Sequence, residues 1–443
     1  MTTDPNPDPP PLVEEIQQFK QSCCLSISLC NERLRRKWAG VPAYDTDAHH
    51  FEPNNYGVNL YTLVESQGYR PYMEDRYISK PIRNGQSCLF AVLDGHGLEG
   101  EGHIIADYAS KHLHKIVEKH LDSIDSIEST HVSSDDVQGD GQFFREKLDG
   151  ALTEMDTVLR QLLPNASENN GTTVTATLVD VEYLTFANLG DSRGVLINKD
   201  YTIDFVTLDH KPTVELEETR VVRAGGFVDD FRVNGDLAVS RTLGDVTYKP
   251  SNAPRRLCPI SNEPDVTRIK RLDKHRCIIL GSDGVWDGLA SIEVVDILKE
   301  FSLLDGGVDK ETLKTNLDAA YKKIMREITI SRLSSDNITL LIIILDDNLE
   351  KLRAKLAADN ANNPKETKGG DEEDPKKGQD QVDIVQSHKI VKDQADEVTS
   401  PIGIEEKGIP DKETPGSGMT GSLKAESDEK VETSSSGVEL ELT

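Results

Sequence analysis

The sequence predicts an α+β fold, with antiparallel strands in a central layered core and helices on the outside. Three observations carry this. Between about Tyr56 and Asp346, short apolar runs rich in Val, Ile, Leu and Phe alternate with Gly- and Asp-rich turns. Some runs are separated by only a few residues, as 181–183 separates two of them, which suits hairpins rather than crossover helices. Longer segments with helical periodicity interrupt the strands.

The predicted strands, in order, are CLFAVL (88–93), TVTATLV (173–179), YLTFANL (183–189), GVLIN (194–198), RCIILG (276–281) and NITLLIIIL (337–345). Helices are predicted over 104–120, 143–163, 214–224, 291–303 and 310–328, and the polar stretch 122–142 reads as an exposed insertion. This core, 55–346, sits between two extensions. Residues 1–54 open Pro- and Asp-rich and can form a helix over 13–38. Three of the six cysteines (Cys23, Cys24, Cys30) fall in that helix without the His or CxxC partners of a zinc site, so buried thiols are expected. Residues 347–443 start with a short helix, LEKLRAKLAAD. From 364 they hold no aromatic residue and no arginine, and 20 Asp and Glu against 10 Lys. Such a segment cannot bury enough apolar surface to offset its ordering entropy, so a disordered acidic tail is expected. The preferred reading is a solvated extension; the alternative is an autoinhibitory or partner-selecting arm.

Composition excludes several classes. Acidic residues outnumber basic ones 78 to 50 in 443 residues, a net charge of −28. That sign opposes non-specific nucleic-acid binding. No apolar run reaches the roughly 18 residues of a membrane-spanning helix. The opening MTTDPNPDPPP lacks the basic and apolar regions of a signal peptide. The cysteines are too scattered for a disulfide framework. An intracellular protein, cytoplasmic and/or nuclear, and a monomer are therefore expected.

The informative residues are acids at strand ends. Asp94 follows CLFAVL, Asp191 follows YLTFANL, Asp283 follows RCIILGS, and Asp336 precedes NITLLIIIL. One Asp-Gly is most often only a turn. Four such acids, plus Glu74–Asp75, would repel one another if the strand ends converged. Such a cluster calls for cations, and all-oxygen ligands suit Mg²⁺ or Mn²⁺ rather than zinc. Glycine after Asp94 and after Asp283 is expected to allow a sharp turn and a close carbonyl.

Nine segments then carry a resemblance: GYRPYMEDRY (68–77), LFAVLDGHG (89–97), GTTVTATLV (171–179), ANLGDSRGVL (187–196), DHKP (209–212), RVNGDLAVSRTLGD (232–245), EPDV (263–266), ILGSDGVWDGL (279–289) and SSDNITLLII (334–343). In this order the chain resembles the metal-dependent protein serine/threonine phosphatases of type 2C. The resemblance implies a central β-sandwich of two mostly antiparallel sheets flanked by helices on both faces. It implies two Mg²⁺ or Mn²⁺ ions, with a third more weakly bound. Asp94 would bridge the two ions, the Gly95 carbonyl would bind one, and Asp283 and Asp336 would bind the other. Glu74 and Asp75 would hold metal-bound waters, and Asp191 with Asp283 would match the third position. A metal-bridging water or hydroxide would attack phosphoserine or phosphothreonine of a protein substrate without a covalent phospho-enzyme. Arg70 would grip the phosphate and His96 would protonate the leaving oxygen. His103 and His210 are given no such role; His210 reads as a packing or loop hydrogen-bonding residue.

Departures from the family pattern are small. LEGEGH follows DGHG where a double glycine is commoner, and Gly281-Ser282 replaces an Ala-Cys or Ala-Ser pair. A pseudophosphatase scaffold is the alternative, but every expected acid is present. Gly190-Asp191-Ser192-Arg193-Gly194 matches G-x-S-x-G, which would make Ser192 a hydrolase nucleophile. That motif requires a following helix, whereas here a strand follows, so a hairpin is predicted.

Overall fold

The computed structural model describes residues 45–46, 54–97, 100–122, 137–250, 253–346 and 348–362. The predicted helix over 13–38 and the acidic tail lie outside the described residues. Among them, no helix is long and apolar enough to cross a membrane.

Two antiparallel sheets form the centre. One has six strands in the order Asp45–Thr46, Val58–Ser66, Ile338–Leu345, His275–Gly281, Arg193–Asn198 and Ile203–Val206. The other has five, in the order Asp265–Lys270, Tyr183–Leu189, Val174–Val179, Ser87–Leu93 and Arg76–Ile82. All their pairings are antiparallel. The α+β sandwich predicted from the sequence is the fold observed.

Side-chain alternation explains why the strands read as unbroken apolar runs. In Ile338–Leu345, the residues Leu341, Ile343 and Leu345 point into the space between the sheets, against Phe90 and Phe186. Ile338, Leu340, Ile342 and Ile344 point outward, under helices Ser291–Glu300 and Lys310–Arg326. Strand Ser87–Leu93 behaves alike: Cys88, Phe90 and Val92 face the other sheet, while Leu89, Ala91 and Leu93 lie under helices Gly102–Asp122 and Val137–Leu162. A strand covered on both faces has no polar side, so period two disappears from its sequence although the geometry keeps it.

Two expectations need correction. Residues 137–142, assigned to the insertion, form the first turns of helix Val137–Leu162; residues 123–136 lie outside the described set. The segment 190–192 is not a hairpin, because Tyr183–Leu189 and Arg193–Asn198 belong to different sheets. It is the crossover between layers, and the left-handed φ of +114° at Gly190 turns the chain there.

From Thr207 to Asn262 the chain leaves the sheets. This excursion carries helix Glu215–Arg223, the hairpin of Val228–Asp229 with Arg232–Val233, and a small core of Val221, Val233 and Ile260. Glu217 anchors it: its carboxylate accepts from Arg241 (2.5 Å), Arg220 (3.1 Å) and Ser240 (2.7 Å).

Because Phe186 is buried between the sheets, Phe186→Ala is expected to destabilise the fold by about 3–5 kcal/mol. Phe231→Ala, at a side chain 72% exposed, should stay within about 0.5 kcal/mol. Urea unfolding curves with equal slopes test both.

Candidate active site

The pairing register brings the strand-end acids to one place. In the five-stranded sheet Arg76 pairs with Leu93, and Val174 with Leu189, so Asp75, Asp94 and Asp191 leave from the same edge of the sheet. In the six-stranded sheet Gly281 pairs with Leu340 and Arg193, and Ile338 with Ser66. Asp283, Asp336 and the loop carrying Arg70 therefore leave from one edge of that sheet. The crossover 190–192 joins the two edges, so all these residues stand at one end of the sandwich.

Electrostatics reports how closely they gather. Burial pushes the Asp94 carboxyl well above its usual range, and the charges of Asp283, Asp75, Asp191 and Asp336 push it further. Asp191 is pushed up to about 8 by burial and Asp283, with Lys211 pulling against them. Asp283 rises to about 7 through burial, Asp336 and Asp287. Asp75 rises to about 6, mainly by burial, and Glu74 also rises through burial. Both carboxylate oxygens of Asp75 and the Oε1 of Glu74 are buried without a well-aligned hydrogen bond; the Ser282 and Thr339 hydroxyls near Asp75 and the Gly102 N–H near Glu74 offset only part of the cost of burial. Lone pairs left unsatisfied at this cost mark a place built for an additional partner.

That donor set fits a hard dication, since it consists of oxygen and carries excess negative charge. Among the described residues no three His, Cys, Asp or Glu side chains make a ready-made ion cage. An ion here would take much of its coordination from water and carbonyl oxygen, as Mg²⁺ commonly does.

The backbone is held tightly around the acids. The Asp94 N–H donates to Thr173 Oγ1 (3.1 Å), and the Asp94 carbonyl accepts from the Thr173 N–H (2.9 Å). Asn337 Nδ2 donates to the carbonyls of Gln67 and Tyr72 (both 2.9 Å), and its Oδ1 accepts from the Glu74 N–H (2.8 Å). Gly95 and Gly284 do not have positive φ, which corrects the sharp-turn expectation. Their requirement is space: a Cβ on Gly95 would sit 2.7 Å from the Glu74 carbonyl oxygen, and one on Gly284 1.9 Å from that of Asn337.

Arg70 reaches into the cluster and donates to Asp336 Oδ2 at 2.6 Å, with half of its side chain exposed. His96 follows Asp94 by two residues and feels the charges of Asp191 and Glu74, and its Nε2 is 2.8 Å from Asp245 Oδ2. Burial alone would lower the imidazole pKa; Asp245 outweighs this and raises it. His210 is buried, accepts from the Gly190 N–H at Nδ1 (3.0 Å) and meets Asp265 through Nε2 (3.2 Å), a loop-fixing role. His103 Nδ1 lies 2.6 Å from the Gly100 carbonyl oxygen.

The sequence reading assigned no role to Asp245, Lys211, Asp287 or Asn337. Lys211 Nζ donates to Asp287 at 2.6 Å, which places a cation beside Asp191 and Asp283. All four lay inside the quoted segments, as the last residue of RTLGD, in DHKP, in SDGVWDG and in SSDN. Ser192 is fully buried and hydrogen-bonded to Thr173 Oγ1 (2.8 Å), with no helix behind it, so it is not a raised nucleophile.

Carboxyls raised in the fold favour its protonated form. From about pH 5.5 to 8, above the range where the lowered carboxylates such as Glu217 titrate, these groups let the folded, metal-free protein hold more protons than the unfolded chain, and their contribution to stability falls as pH rises. In EDTA the melting temperature is expected to be lower at pH 8.5 than at pH 5.5, by about 2–4 °C for each kcal/mol lost. Mn²⁺ should raise it most at pH 8.5. A midpoint in EDTA that is flat or rises across this range contradicts the cluster.

The family model for protein phosphatase 2C matches residues 59–338. Probable protein phosphatase 1N of Mus musculus is 33% identical over 281 residues, which cover 62% of this chain and 62% of that protein. Protein phosphatase 2C 1 of Paramecium tetraurelia is 31% identical over 307 residues, covering 65% of this chain and 92% of that one. The chain thus spans less than two thirds of the mouse relative's length. The crystal structure of serine-threonine phosphatase 2C from Toxoplasma gondii superposes with a TM-score of 0.54 at 20% identity, over 69% of this chain and all of that one, and shares the fold. The chain belongs to the protein phosphatase 2C family.

Proposed function

We propose that this protein hydrolyses phosphoserine and phosphothreonine in protein substrates, using divalent cations held at the acidic end of the sandwich. The observation that carries this is the convergence of Asp75, Asp94, Asp191, Asp283 and Asp336, with each raised carboxyl feeling charge from others. Asp94, the Gly95 carbonyl, Asp283 and Asp336 would hold two Mg²⁺ or Mn²⁺ ions. Glu74 and Asp75 would act through bound water, and Asp191 would serve a third, weaker position. When bound, such ions supply Lewis acidity that makes water nucleophilic at neutral pH and offsets charge on the phosphoryl oxygens.

The chain's own groups do the rest. The Arg70 guanidinium offers a forked donor to two phosphate oxygens, and it leaves Asp336 to do so. With a cation held at Asp336, that carboxylate would no longer need Arg70, whose guanidinium would be free to bind a phosphate dianion. His96, two residues after Asp94 and within the field of Asp191 and Glu74, gives a proton to the departing serine or threonine oxygen. No side chain needs to become phosphorylated, since water is the nucleophile.

With Mn²⁺, phosphate should be released from a phosphothreonine peptide and little from a phosphotyrosine peptide; EDTA should stop it. Asp94→Asn should abolish release. Arg70→Ala should weaken kcat/KM by about 10- to 150-fold, the loss of one or two charge-assisted hydrogen bonds. A metal-loaded, folded protein without turnover on any phosphopeptide would instead favour a pseudophosphatase scaffold.

A further inference from the structure

We propose that Asp245 is the positioning residue of His96: a buried carboxylate that holds the imidazole by Nε2 and so presents Nδ1 to the leaving oxygen. The proposal rests on the phosphatase reading and deepens it.

The structure around Asp245 is built for this contact. His96 lies on the two-residue strand Gly95–His96, which pairs with Gly171–Thr172, which pairs in turn with Leu243–Gly244. This short three-stranded sheet brings position 245 beside position 96 across 149 residues of chain. Asp245 itself adopts a left-handed backbone (φ 47°, ψ 47°), an uncommon conformation that a carboxylate side chain tolerates better than most. Its N–H donates to the Asn170 carbonyl at 3.0 Å, which pins that conformation. The residue is 0% exposed. Gly171 leaves room for it, because a Cβ there would come within 2.1 Å of Asp245 Oδ2.

One oxygen does the work. Asp245 Oδ2 accepts from Thr242 Oγ1 at 2.6 Å and faces His96 Nε2 at 2.8 Å. An ionised carboxylate only accepts, so Nε2 carries the hydrogen and Nδ1 is the nitrogen left for chemistry. Behind it, Lys249 donates to the Thr242 carbonyl (2.7 Å) and to Asp156 (3.0 Å), which fixes the turn bearing Thr242. In the reaction, the bond between phosphorus and the serine or threonine oxygen breaks as one to water oxygen forms. The Nδ1 proton of His96 passes to the departing oxygen, a water proton is lost to solvent, and the Nε2 hydrogen stays on His96, donated to Asp245 Oδ2; solvent then returns a proton to Nδ1. The logic is that of a carboxylate orienting a catalytic imidazole.

The test uses leaving groups. A serine or threonine alkoxide needs a proton to depart, whereas p-nitrophenolate is a stable anion and does not. Full-length wild type, His96→Gln, Asp245→Asn and Thr242→Val would be assayed with Mn²⁺ on a phosphothreonine peptide and on p-nitrophenyl phosphate. For Asp245→Asn we expect kcat on the peptide to fall about 100-fold and kcat on p-nitrophenyl phosphate by less than about threefold, with Mn²⁺ affinity unchanged. Thr242→Val, which keeps the carboxylate, should give the same split at smaller amplitude, and it carries the test if Asp245→Asn does not fold. Equal losses on both substrates in a folded Asp245→Asn, or a split in His96→Gln with none in the Asp245 and Thr242 variants, overturns the positioning role and leaves the phosphatase reading standing. Wild type that releases phosphate from neither substrate overturns that reading itself.

Discussion

Like-charge repulsion at one end of the sandwich is the constraint around which the rest is arranged. Carboxylates taken out of water and set beside one another raise each other's pKa, and the fold bears that cost in every metal-free molecule. Asp94 and Asp283 are pushed upward by burial and by neighbouring carboxylates together, and Asp75 mainly by burial. Nothing in the packing of the two sheets requires this. The inter-sheet core of Phe90, Phe186, Leu280 and Ile343 would close as well over neutral residues at its rim. The acids persist against stability, which is the pattern expected of a site whose partner is a cation.

The scaffold meets that strain with rigid local geometry. Six strands of the two central sheets end or begin within two residues of an acid of the cluster, and Asn337 ties the Gln67–Glu74 segment to the Asp336 turn through both ends of its amide. Gly68, in left-handed conformation at φ +62°, lets that loop lie against the Asp336 carbonyl, which a Cβ would approach to 2.0 Å. Arg70 therefore reaches the acids from a loop pinned at both ends, and its ion pair with Asp336 offsets part of the local negative charge.

Much of this was legible in the sequence. Strands buried on both faces stood out as apolar runs, and the acids at their ends stood out against them. The strands that went unnamed are those with mixed character. Val58–Ser66 carries Asn59 and Thr62 among its apolar residues, and Arg76–Ile82 is an edge strand with exposed Lys80 and Pro81 just before its buried last residue, Ile82, at an edge where proline is tolerated. Helix Val137–Leu162 begins earlier than its periodicity suggests, since its first turns hold Gly139 and Gly141, which have low helix propensity and add nothing to the apolar period. The turn at 190–192 reads locally like a hairpin; only the assignment of its flanking strands to different sheets makes it a crossover. Asp245 could not be paired with His96 from spacing alone, because a three-stranded contact of two-residue strands leaves no periodic trace.

Diffraction from crystals soaked in Mn²⁺, collected at the manganese edge, tests the central claim most directly. The account predicts anomalous peaks within bonding distance of Asp94, Asp283 and Asp336 oxygens, with Arg70 withdrawn from Asp336. Manganese bound elsewhere, with those three carboxylates bare and Arg70 still in place, would contradict it.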